Sequence, residues 1–364
     1  MDISMDNPIP KNHNSKYIAA ILFGLFFIAS AYLLFIFTNP GDGAGSNSFF
    51  SFPDFHCNCQ SSTTISNGTS SSLVSSHRDG LEEALAGAST ANKTVIIAMV
   101  NKAYVEGDKP MLDIFLDSFW LGEDTRNLIS HLLLVTVDRT AYDRCMFLGL
   151  HCYKLETDGV DFDGEVVYMS EDFIKMMWRR TLLLGDVLKR GYNFIFTDTD
   201  VMWLRNPFPS LIVDGSVDFQ MSVDNFNHDE WSDGNPINTG FYMIRSNKKT
   251  ITLFDSWYAR KNSSVGQKEQ DVLDSMMREG VFRDLRLKMR YLDTQFFSGF
   301  CQDSADIRAV ITVHANCCRT ISAKIVDLTA VIHHWKRFKK SSAANETTTY
   351  GMLNDHAACK NSWS

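Results

Sequence analysis

The chain has 364 residues, of which 45% are hydrophobic, so it is long enough for one large domain or two modest ones with a sizeable buried core. This composition is typical of a globular protein rather than a disordered one. The formal net charge of −8 at pH 7 argues against a nucleic-acid-binding protein, because such proteins need clustered Lys and Arg to neutralise phosphates.

The first predicted element is a membrane anchor at residues 17–37, a run without charged residues that is rich in Ile, Leu, Phe and Ala. About 20 helical residues cross the apolar core of a bilayer. Lys11 and Lys16 precede the run, and the next basic residue is Arg78, so the positive-inside rule places residues 1–16 in the cytosol as a short tail. A cleaved signal peptide is the alternative, but its apolar region usually spans only about 7–15 residues. The pattern predicts a single-pass type II membrane protein.

A lumenal location of the remaining chain would agree with two residue patterns. Eight cysteines could form disulfides in such an oxidising compartment. Their pairing is not determined by the sequence, although Cys145 and Cys152 could close a short loop. Four glycosylation sequons follow the anchor, at Asn67, Asn92, Asn262 and Asn345.

Composition divides the chain after the anchor into three parts. Residues 38–92 are rich in Ser, Thr, Gly and Asn and cannot bury enough apolar area to offset their ordering entropy, so we expect a flexible stem. Residues 93–340 have the pattern of a folded domain, and residues 341–364 are expected to form a C-terminal tail.

Short apolar runs alternate with amphipathic stretches in the folded region. The runs predict strands at 95–100, 132–137, 192–196, 217–223, 241–244 and 310–313. Helical spacing of apolar residues predicts helices at 110–120 and Glu171–Lys189, and Gly191 is a stop signal for the second. This alternation predicts an α/β/α sandwich around a mainly parallel sheet, in which ligands bind beyond the carboxyl ends of the strands.

The triplet Asp198, Thr199 and Asp200 directly follows one of the predicted strands. Two carboxylates close to the core need a cation or hydrogen-bond donors, and a divalent cation shared between them can hold a diphosphate. The alternative is a turn shaped by hydrogen bonds from the aspartate side chains to the backbone. Apolar residues on both sides of the triplet favour the metal site.

The segment 196–208, FTDTDVMWLRNPF, resembles the metal-binding motif of the A-type glycosyltransferases. From about 94 to 338 the chain resembles the plant nucleotide-diphospho-sugar transferase domain of glycosyltransferase family 77, through NTGFYMIR, KEQD and VHANCC at 238–245, 268–271 and 313–318. The resemblance implies a Rossmann-like GT-A fold, a UDP-sugar donor, Mn²⁺ or Mg²⁺, and retention of anomeric configuration. It also implies transfer of a pentose such as arabinose or xylose, or of galactose, to a cell-wall glycan or a glycoprotein in the Golgi.

The resemblance also implies roles for individual residues. Asp198 and Asp200 are predicted metal and donor ligands, and His314 would complete the metal site and favour Mn²⁺, unless this histidine is structural. Arg180 and Lys324 are candidate clamps for the diphosphate because of their charge. Asn101, Asp224, Asn238 and Gly240 are the other predicted donor-binding residues. Asn101, at the end of the first strand, is expected to meet the uracil, and Asp224, at the end of the strand at 217–223, to touch the donor or the acceptor, unless it only caps a loop. Asn238 and Gly240 are expected in a turn before the strand at 241–244, where they would reach the donor sugar or the acceptor, unless the turn is an ordinary one.

A predicted helix, Glu269–Arg278, begins with the candidate catalytic residues Glu269, Gln270 and Asp271. Similarity to retaining A-type enzymes puts Glu269 on donor hydroxyls and Gln270 near the anomeric carbon. Acidic residues also favour a helix N-terminus through the dipole alone, which is the structural alternative. Since Gln270 is an uncharged amide and a poor nucleophile, we expect the acceptor to attack on the face from which the diphosphate leaves.

Together these patterns predict a glycosyltransferase of the Golgi membrane with a lumenal catalytic domain. One alternative is a lumenal protein that binds a glycan through the metal without catalysis. Another is a metal-dependent phosphodiester or pyrophosphate hydrolase, which would release sugar phosphate from a nucleotide sugar.

Overall fold

In the computed structural model the described residues are 79–157, 164, 169–343 and 355–363. The predicted tail at 1–16, the predicted anchor at 17–37 and most of the predicted stem lie outside these residues. Across the described part of the chain, no helix is both long and apolar enough to cross a membrane.

Ten strands and ten α-helices make up the regular structure of the described residues. The strands are β1 (Thr94–Val100), β2 (Leu132–Thr136), β3 (His151–Lys154), β4 (Asn193–Thr197), β5 (Val201–Trp203), β6 (Phe219–Val223), β7 (Ile237–Ile244), β8 (Met289–Leu292), β9 (Phe297–Gly299) and β10 (Thr312–His314). The helices are α1 (Gly80–Ala88), α2 (Lys102–Val105), α3 (Met111–Leu121), α4 (Arg139–Phe147), α5 (Glu171–Lys189), α6 (Lys248–Ala259), α7 (Glu269–Arg278), α8 (Val281–Asp284), α9 (Ile321–Ala343) and α10 (Ala357–Asn361).

Seven of the strands form one sheet in the order β3-β2-β1-β4-β7-β6-β8. Four of its six pairings are parallel, and β7 is antiparallel to both of its neighbours, β4 and β6. A smaller sheet has the order β5-β10-β9. The carboxyl ends of β1, β4 and β6 and the start of β7 therefore meet at one edge of the main sheet.

Helices cover both faces of the main sheet, as the alternating side chains of β1 illustrate. Val95 and Ile97 pack into a core with α1, α5, α6 and α7. Ile96 and Ala98 point the other way, into a core with α3, α9 and the small sheet. Because successive side chains of a strand face opposite sides, a strand buried on both faces reads as a continuous apolar run. The result is the predicted α/β/α sandwich with a mainly parallel sheet.

Helix α5, which carries a site residue, has clear start and stop signals. The Ser170 hydroxyl accepts a hydrogen bond from the backbone N–H of Phe173 and caps the first turn. Gly191 follows the helix with a φ of 81°, a left-handed conformation that suits glycine. The helix spans Glu171–Lys189, the predicted range, and buries Arg180 in its middle.

The structure changes three of the expected boundaries. Helix α1 lies inside the predicted stem at 38–92, yet Leu81 and Leu85 are buried in the core, so the folded domain begins earlier than its composition indicated. At the other end, α9 continues into the predicted tail at 341–364, and α10 is part of the domain. Strand β7 includes residues 238–240, so the expected turn there is wrong.

Three disulfides join described cysteines. Cys145 pairs with Cys152, which confirms the short loop closure expected from their spacing. The other two pairs are Cys301–Cys317 and Cys318–Cys359. Cys317 and Cys318, shortly after β10, are thus joined to two different parts of the chain, at Cys301 and Cys359.

Candidate active site

A cavity of about 280 Å³ opens at the edge where the strand ends meet. The triplet that follows β4 lies on its floor and leads into β5, which pairs with β10. The backbone N–H of Asp198 donates to the carbonyl of Gly240 at 2.7 Å, and that of Ala315 donates to the carbonyl of Asp200 at 3.0 Å. These bonds bring the ends of β4, β7 and β10 together at one point.

Asp198, Asp200 and His314 form a cluster that we call the metal triad. Each offers one ligand atom, and the three atoms lie within 4.8 Å of one another. Two carboxylates and an imidazole form a donor set suited to Mn²⁺. The site is also buried, since Asp200 is 3% exposed, and water would compete little for an ion held there. The residues therefore fit a divalent cation.

The two carboxylates of the metal triad differ in their electrostatic surroundings. Burial raises the pKa of Asp198 to about 6 against the pull of Arg180, although 37% of its side chain still reaches the cleft. Arg180 Nη1 lies 3.1 Å from Asp198 Oδ1. Burial also opposes ionisation of Asp200, but Lys324 and His314 outweigh it and hold the pKa of Asp200 well below its usual range.

Lys324 and His314 contact Asp200 from separate elements. Lys324, on α9, places Nζ 2.7 Å from Asp200 Oδ2, and His314 Nε2 lies 3.3 Å from Oδ1. Although burial opposes the charged form of both groups, Asp200 raises the pKa of each. Positive charge is thus concentrated next to the carboxylates, where a diphosphate would need it.

Gly240 allows the metal triad to be this compact. A Cβ atom at this position would clash with His314 Cε1 and would lie 2.8 Å from Asp198 Oδ2. Residue 240 is inside a strand, so the requirement for glycine comes from space rather than from backbone conformation. The sequence predicted that Gly240 allows other groups to approach the backbone closely. The structure confirms this, although residue 240 lies in a strand and not in a turn.

A buried polar network connects the metal triad to the start of α7. Arg180 contacts Glu269 Oε1 through Nη2, and the Thr239 hydroxyl donates to the same oxygen at 3.0 Å. The Glu269 side chain is 2% exposed, and its Oε2 has no hydrogen-bond partner among the described residues. Since a buried acceptor without a donor is costly, this oxygen is a group that a ligand hydroxyl can satisfy.

Gln270 lies beside this network and lines the cavity. Its Oε1 accepts hydrogen bonds from the Thr239 backbone N–H at 3.0 Å and from the Thr239 hydroxyl at 3.1 Å. The amide nitrogen is therefore the atom of Gln270 that can donate to a ligand. The α7 backbone is held by Trp257, whose Nε1 donates to the Glu269 carbonyl at 2.8 Å.

Asp271 is not brought to the cavity, so its expected catalytic role needs correction. Its side chain is 47% exposed, and its carboxylate lies 3.8 Å from the Lys268 ammonium. Successive residues of a helix point about 100° apart, so three in a row cannot all face one cleft. Glu269 and Gln270 line the cavity, whereas Asp271 does not.

The other predicted donor-binding residues all line the cavity, on two sides of the metal triad. Asn101 follows β1, and its Nδ2 donates to the carbonyl of Gly164 at 2.9 Å. Asp224 directly follows β6 and Asn238 lies in β7, on the far side of β4, where Asn238 Nδ2 donates to Asp224 Oδ1 at 2.8 Å. In the sheet order, β4 thus lies between Asn101 on one side and Asp224 and Asn238 on the other.

Several cavity residues were not identified from the sequence: Tyr104, Phe173, Thr239, Lys268, Asn316, Trp363 and the Cys301–Cys317 disulfide. Thr239 and Asn316 are close in sequence to predicted site residues, Asn238 and His314. That closeness is the one sequence signal that could have identified them. Trp363 had none, because it is 163 residues from Asp200 along the chain and reaches the cavity only through the fold.

An open sheet covered by helices, with paired carboxylates at the exit of a central strand and cations around them, defines a nucleotide-sugar transferase with a GT-A-like fold. The nucleotide-diphospho-sugar transferase family model matches residues 127–328. This chain belongs to that family, and it is a glycosyltransferase.

Curated proteins of two organisms are similar to this chain. An uncharacterised protein of Arabidopsis thaliana is 55% identical over 78% of this chain and 84% of its own length. The beta-arabinofuranosyltransferase RAY1 of Arabidopsis thaliana is 25% identical over 60% of this chain and 41% of that protein. The UDP-galactose:fucoside alpha-3-galactosyltransferase of Dictyostelium discoideum is 41% identical over 40% of this chain and 27% of that protein.

Proposed function

We propose that the chain is a metal-dependent, retaining glycosyltransferase of the Golgi membrane. It transfers arabinose, xylose or galactose from a UDP-sugar to a cell-wall glycan or a glycoprotein. The observation that carries the proposal is the metal triad beside Arg180 and Lys324, at the floor of a cavity that can hold a small ligand.

Each group has a part in the proposed reaction. Asp198, Asp200 and His314 hold Mn²⁺ or Mg²⁺, which when bound neutralises charge on the leaving diphosphate. Arg180 and Lys324 add positive charge nearby, and Gln270 orients the sugar through its amide nitrogen. The acceptor oxygen bonds to the anomeric carbon, the bond from that carbon to the diphosphate oxygen breaks, and the acceptor proton passes to the diphosphate. This chain thus needs no charged nucleophile on the sugar's far face.

The proposed donor sugars follow from the relatives. One is named a beta-arabinofuranosyltransferase and another uses UDP-galactose, which supports a pentose or galactose on a uridine diphosphate. This chain spans less than half of each of these two proteins, so their substrates are carried over only as part of the proposal.

A lumenal location agrees with several features of the chain. The apolar run at 17–37 with its preceding lysines favours a type II anchor. Asn92 and Asn262, the two sequon asparagines among the described residues, are both exposed. The three disulfides also suit an oxidising compartment.

Replacing one ligand of the metal triad tests the proposal. Asp200→Asn keeps the size of the side chain but removes its charge, so Mn²⁺-dependent turnover of the UDP-sugar should fall by about 100-fold or more. Turnover is measured as release of UDP from UDP-arabinose, UDP-xylose and UDP-galactose. Chelation should stop it, and Mn²⁺ but not Ca²⁺ should restore it. Asp214→Asn is the control, because Asp214 is an exposed carboxylate that accepts hydrogen bonds from the N–H and the hydroxyl of Ser216.

Three outcomes would contradict the proposal. Full activity of Asp200→Asn would remove the metal assignment. Binding of a glycan by a wild-type protein that neither transfers nor hydrolyses a UDP-sugar would favour a binding protein. Release of sugar phosphate from the donor would instead indicate a pyrophosphate hydrolase.

A further inference from the structure

A separate segment of the chain, residues 355–363, forms part of the cavity wall. We call it the C-terminal wall. Its helix α10 is joined to the loop after β10 by the Cys318–Cys359 disulfide, and Cys318 is only four residues beyond His314. Trp363, in the same segment, lines the cavity.

Several contacts fix the C-terminal wall to the rest of the domain. Because they involve different elements, the segment is held at both of its ends. The Cys359 N–H donates to Asp327 Oδ2 at 2.8 Å, and the Arg319 N–H donates to Ser362 Oγ at 3.0 Å. His356 Nε2 lies 2.6 Å from Asp303 Oδ2, and the His356 ring stacks on Phe300 with the ring centroids 3.6 Å apart.

Trp363 is oriented although it is half exposed. Its Nε1 donates a hydrogen bond to the Cys317 carbonyl at 2.9 Å, while 53% of the residue remains accessible. An indole that is held by its polar edge presents its apolar ring surface to a ligand at little additional entropy cost. Ligand pockets are lined mainly by apolar and aromatic side chains with a few polar groups, and Trp363 is one of the aromatic residues that line this cavity.

A chain of contacts connects Trp363 to one side of the metal triad. Cys317 is bonded to Cys301, whose N–H donates to Asn316 Oδ1 at 3.1 Å. Asn316 Nδ2 in turn donates to Asp224 Oδ1 at 2.8 Å. Asp224 follows β6, on the far side of β4 from Asn101, the residue predicted to meet the nucleoside. Trp363 is thus linked through this chain of contacts to Asp224.

We propose that Trp363 is a stacking platform for the carbohydrate acceptor. A sugar ring has an apolar C–H face and a rim of hydroxyls, and the cavity offers the indole surface of Trp363, the carboxylate of Asp224 and the amide of Asn316. The inference rests on the proposed function, because it concerns the second substrate of the same reaction.

The test compares Trp363→Ala and Trp363→Phe in the full chain. Transfer is measured from UDP-galactose, UDP-xylose or UDP-arabinose to the methyl glycosides of galactose, xylose and arabinose. Loss of the ring should raise the KM for the glycoside about tenfold and change kcat less than about threefold. Trp363→Phe keeps an aromatic face and should retain most of the affinity. The KM for the UDP-sugar should change less than about twofold in both variants.

Trp120→Ala is a matched control. Trp120 is equally exposed, at 52%, but it lies on α3 with the Arg126 guanidinium 4.3 Å from its ring, and it does not line the cavity. An unchanged glycoside KM in Trp363→Ala, or a loss confined to kcat, would overturn the stacking role. If the wild-type chain releases UDP but uses no glycoside of the panel, the stacking role of Trp363 is wrong, while metal-dependent turnover of the donor, the other part of the proposed function, stands. If it turns over no UDP-sugar, the proposed function fails, and this inference with it.

Discussion

Gly240 shows how one missing side chain makes the metal triad possible. It sits where β4, β7 and β10 approach each other, and its α-hydrogen leaves room for both His314 and Asp198. Replacement by any other residue would push two of the three metal ligands apart. The position therefore tests the site without changing a ligand.

Gly240→Ala should reduce Mn²⁺-dependent UDP-sugar turnover by about 100-fold, because a misplacement of about 1 Å at a reacting site can lower the rate by that factor. Turnover at saturating Mn²⁺ and the Mn²⁺ concentration for half activity are the measurements. The same substitution at Gly185 is the control, since its Cβ would lie 3.5 Å from Phe254 Cβ, an ordinary contact. Equal activities of the two variants would contradict the crowding argument.

Arg180 has a second role, in holding two carboxylates within the folded protein. Its guanidinium contacts Asp198 on one side and Glu269 on the other, and it lies 4.6 Å from the centre of the Phe196 ring. Burial opposes the charged form, but the two carboxylates outweigh it and raise the pKa of Arg180 above its ordinary value. Its removal would leave Glu269 buried and without a counter-charge.

Arg180→Met should lower the free energy of unfolding by about 3–5 kcal/mol, the usual cost of leaving a buried ion without its partner. The measurement is denaturant unfolding without metal. In the double variant Arg180→Met with Glu269→Gln, the loss should be smaller than the sum of the single losses, because the uncompensated charge is gone. Arg179→Met, on the same helix but bonded to the Glu156 carbonyl near the surface, should lose at most about 1 kcal/mol. If the losses of unfolding free energy were strictly additive in the double variant, the proposed ion pair between Arg180 and Glu269 would be contradicted.

At the scale of elements, Asp218 joins three pieces of structure just before β6. Its carboxylate accepts hydrogen bonds from the Asn247 amide, the Lys249 ammonium and the Lys288 N–H, each at 2.9 Å. Burial opposes ionisation, but these donors outweigh it and hold the pKa of Asp218 below its ordinary value. The start of α6 and the strand β8 are thereby tied to β6.

Asp218→Asn should lower the free energy of unfolding by about 1–2 kcal/mol at pH 7. Because the folded pKa lies below the unfolded value of about 3.9, the contribution is complete above pH 3.9 and is lost as the pH falls through the folded pKa. Thermal unfolding of wild type and variant from pH 7 to pH 3 should therefore converge at the acid end. Asp284→Asn, with a side chain that is 73% exposed, should show no such pH dependence. A difference that grows on acidification would refute the assignment.

Elements with a strong local signal were predictable from the sequence. Helices α5 and α7 have the expected ranges because their apolar spacing and first-turn residues agree. Strands β5 and β9 have only three residues each, too few for a periodic pattern, and they join their sheet through long-range pairing with β10. The apolar run at 310–313 did predict a strand, which the structure places at Thr312–His314. Asn238–Gly240 favoured a turn by residue type, but burial between β4 and β6 made it a strand. The metal triad was predictable because each member follows an apolar run.

At the scale of the whole molecule, a cation and diphosphate at the metal triad would contact groups from both sheets and from α5 and α9. Mn²⁺ with UDP, each at about 100 times its Kd, should stabilise the folded state by about 2.7 kcal/mol or more. For a domain of this size that raises Tm by roughly 5–10 °C. The shift is measured by thermal unfolding with Mn²⁺, UDP and both, and Asp200→Asn should abolish it. An equal shift in Asp200→Asn would mean that the ligands bind elsewhere.

The Cys318–Cys359 disulfide can form only late in the synthesis of the chain. The ribosome completes the metal triad at His314, but Cys359 is translated 45 residues later. Until Cys359 has emerged and been oxidised, the cleft lacks one of its walls although every metal ligand is already present. If the metal triad and Trp363 act as proposed, the ligands of the cation are therefore synthesised before the acceptor side is complete.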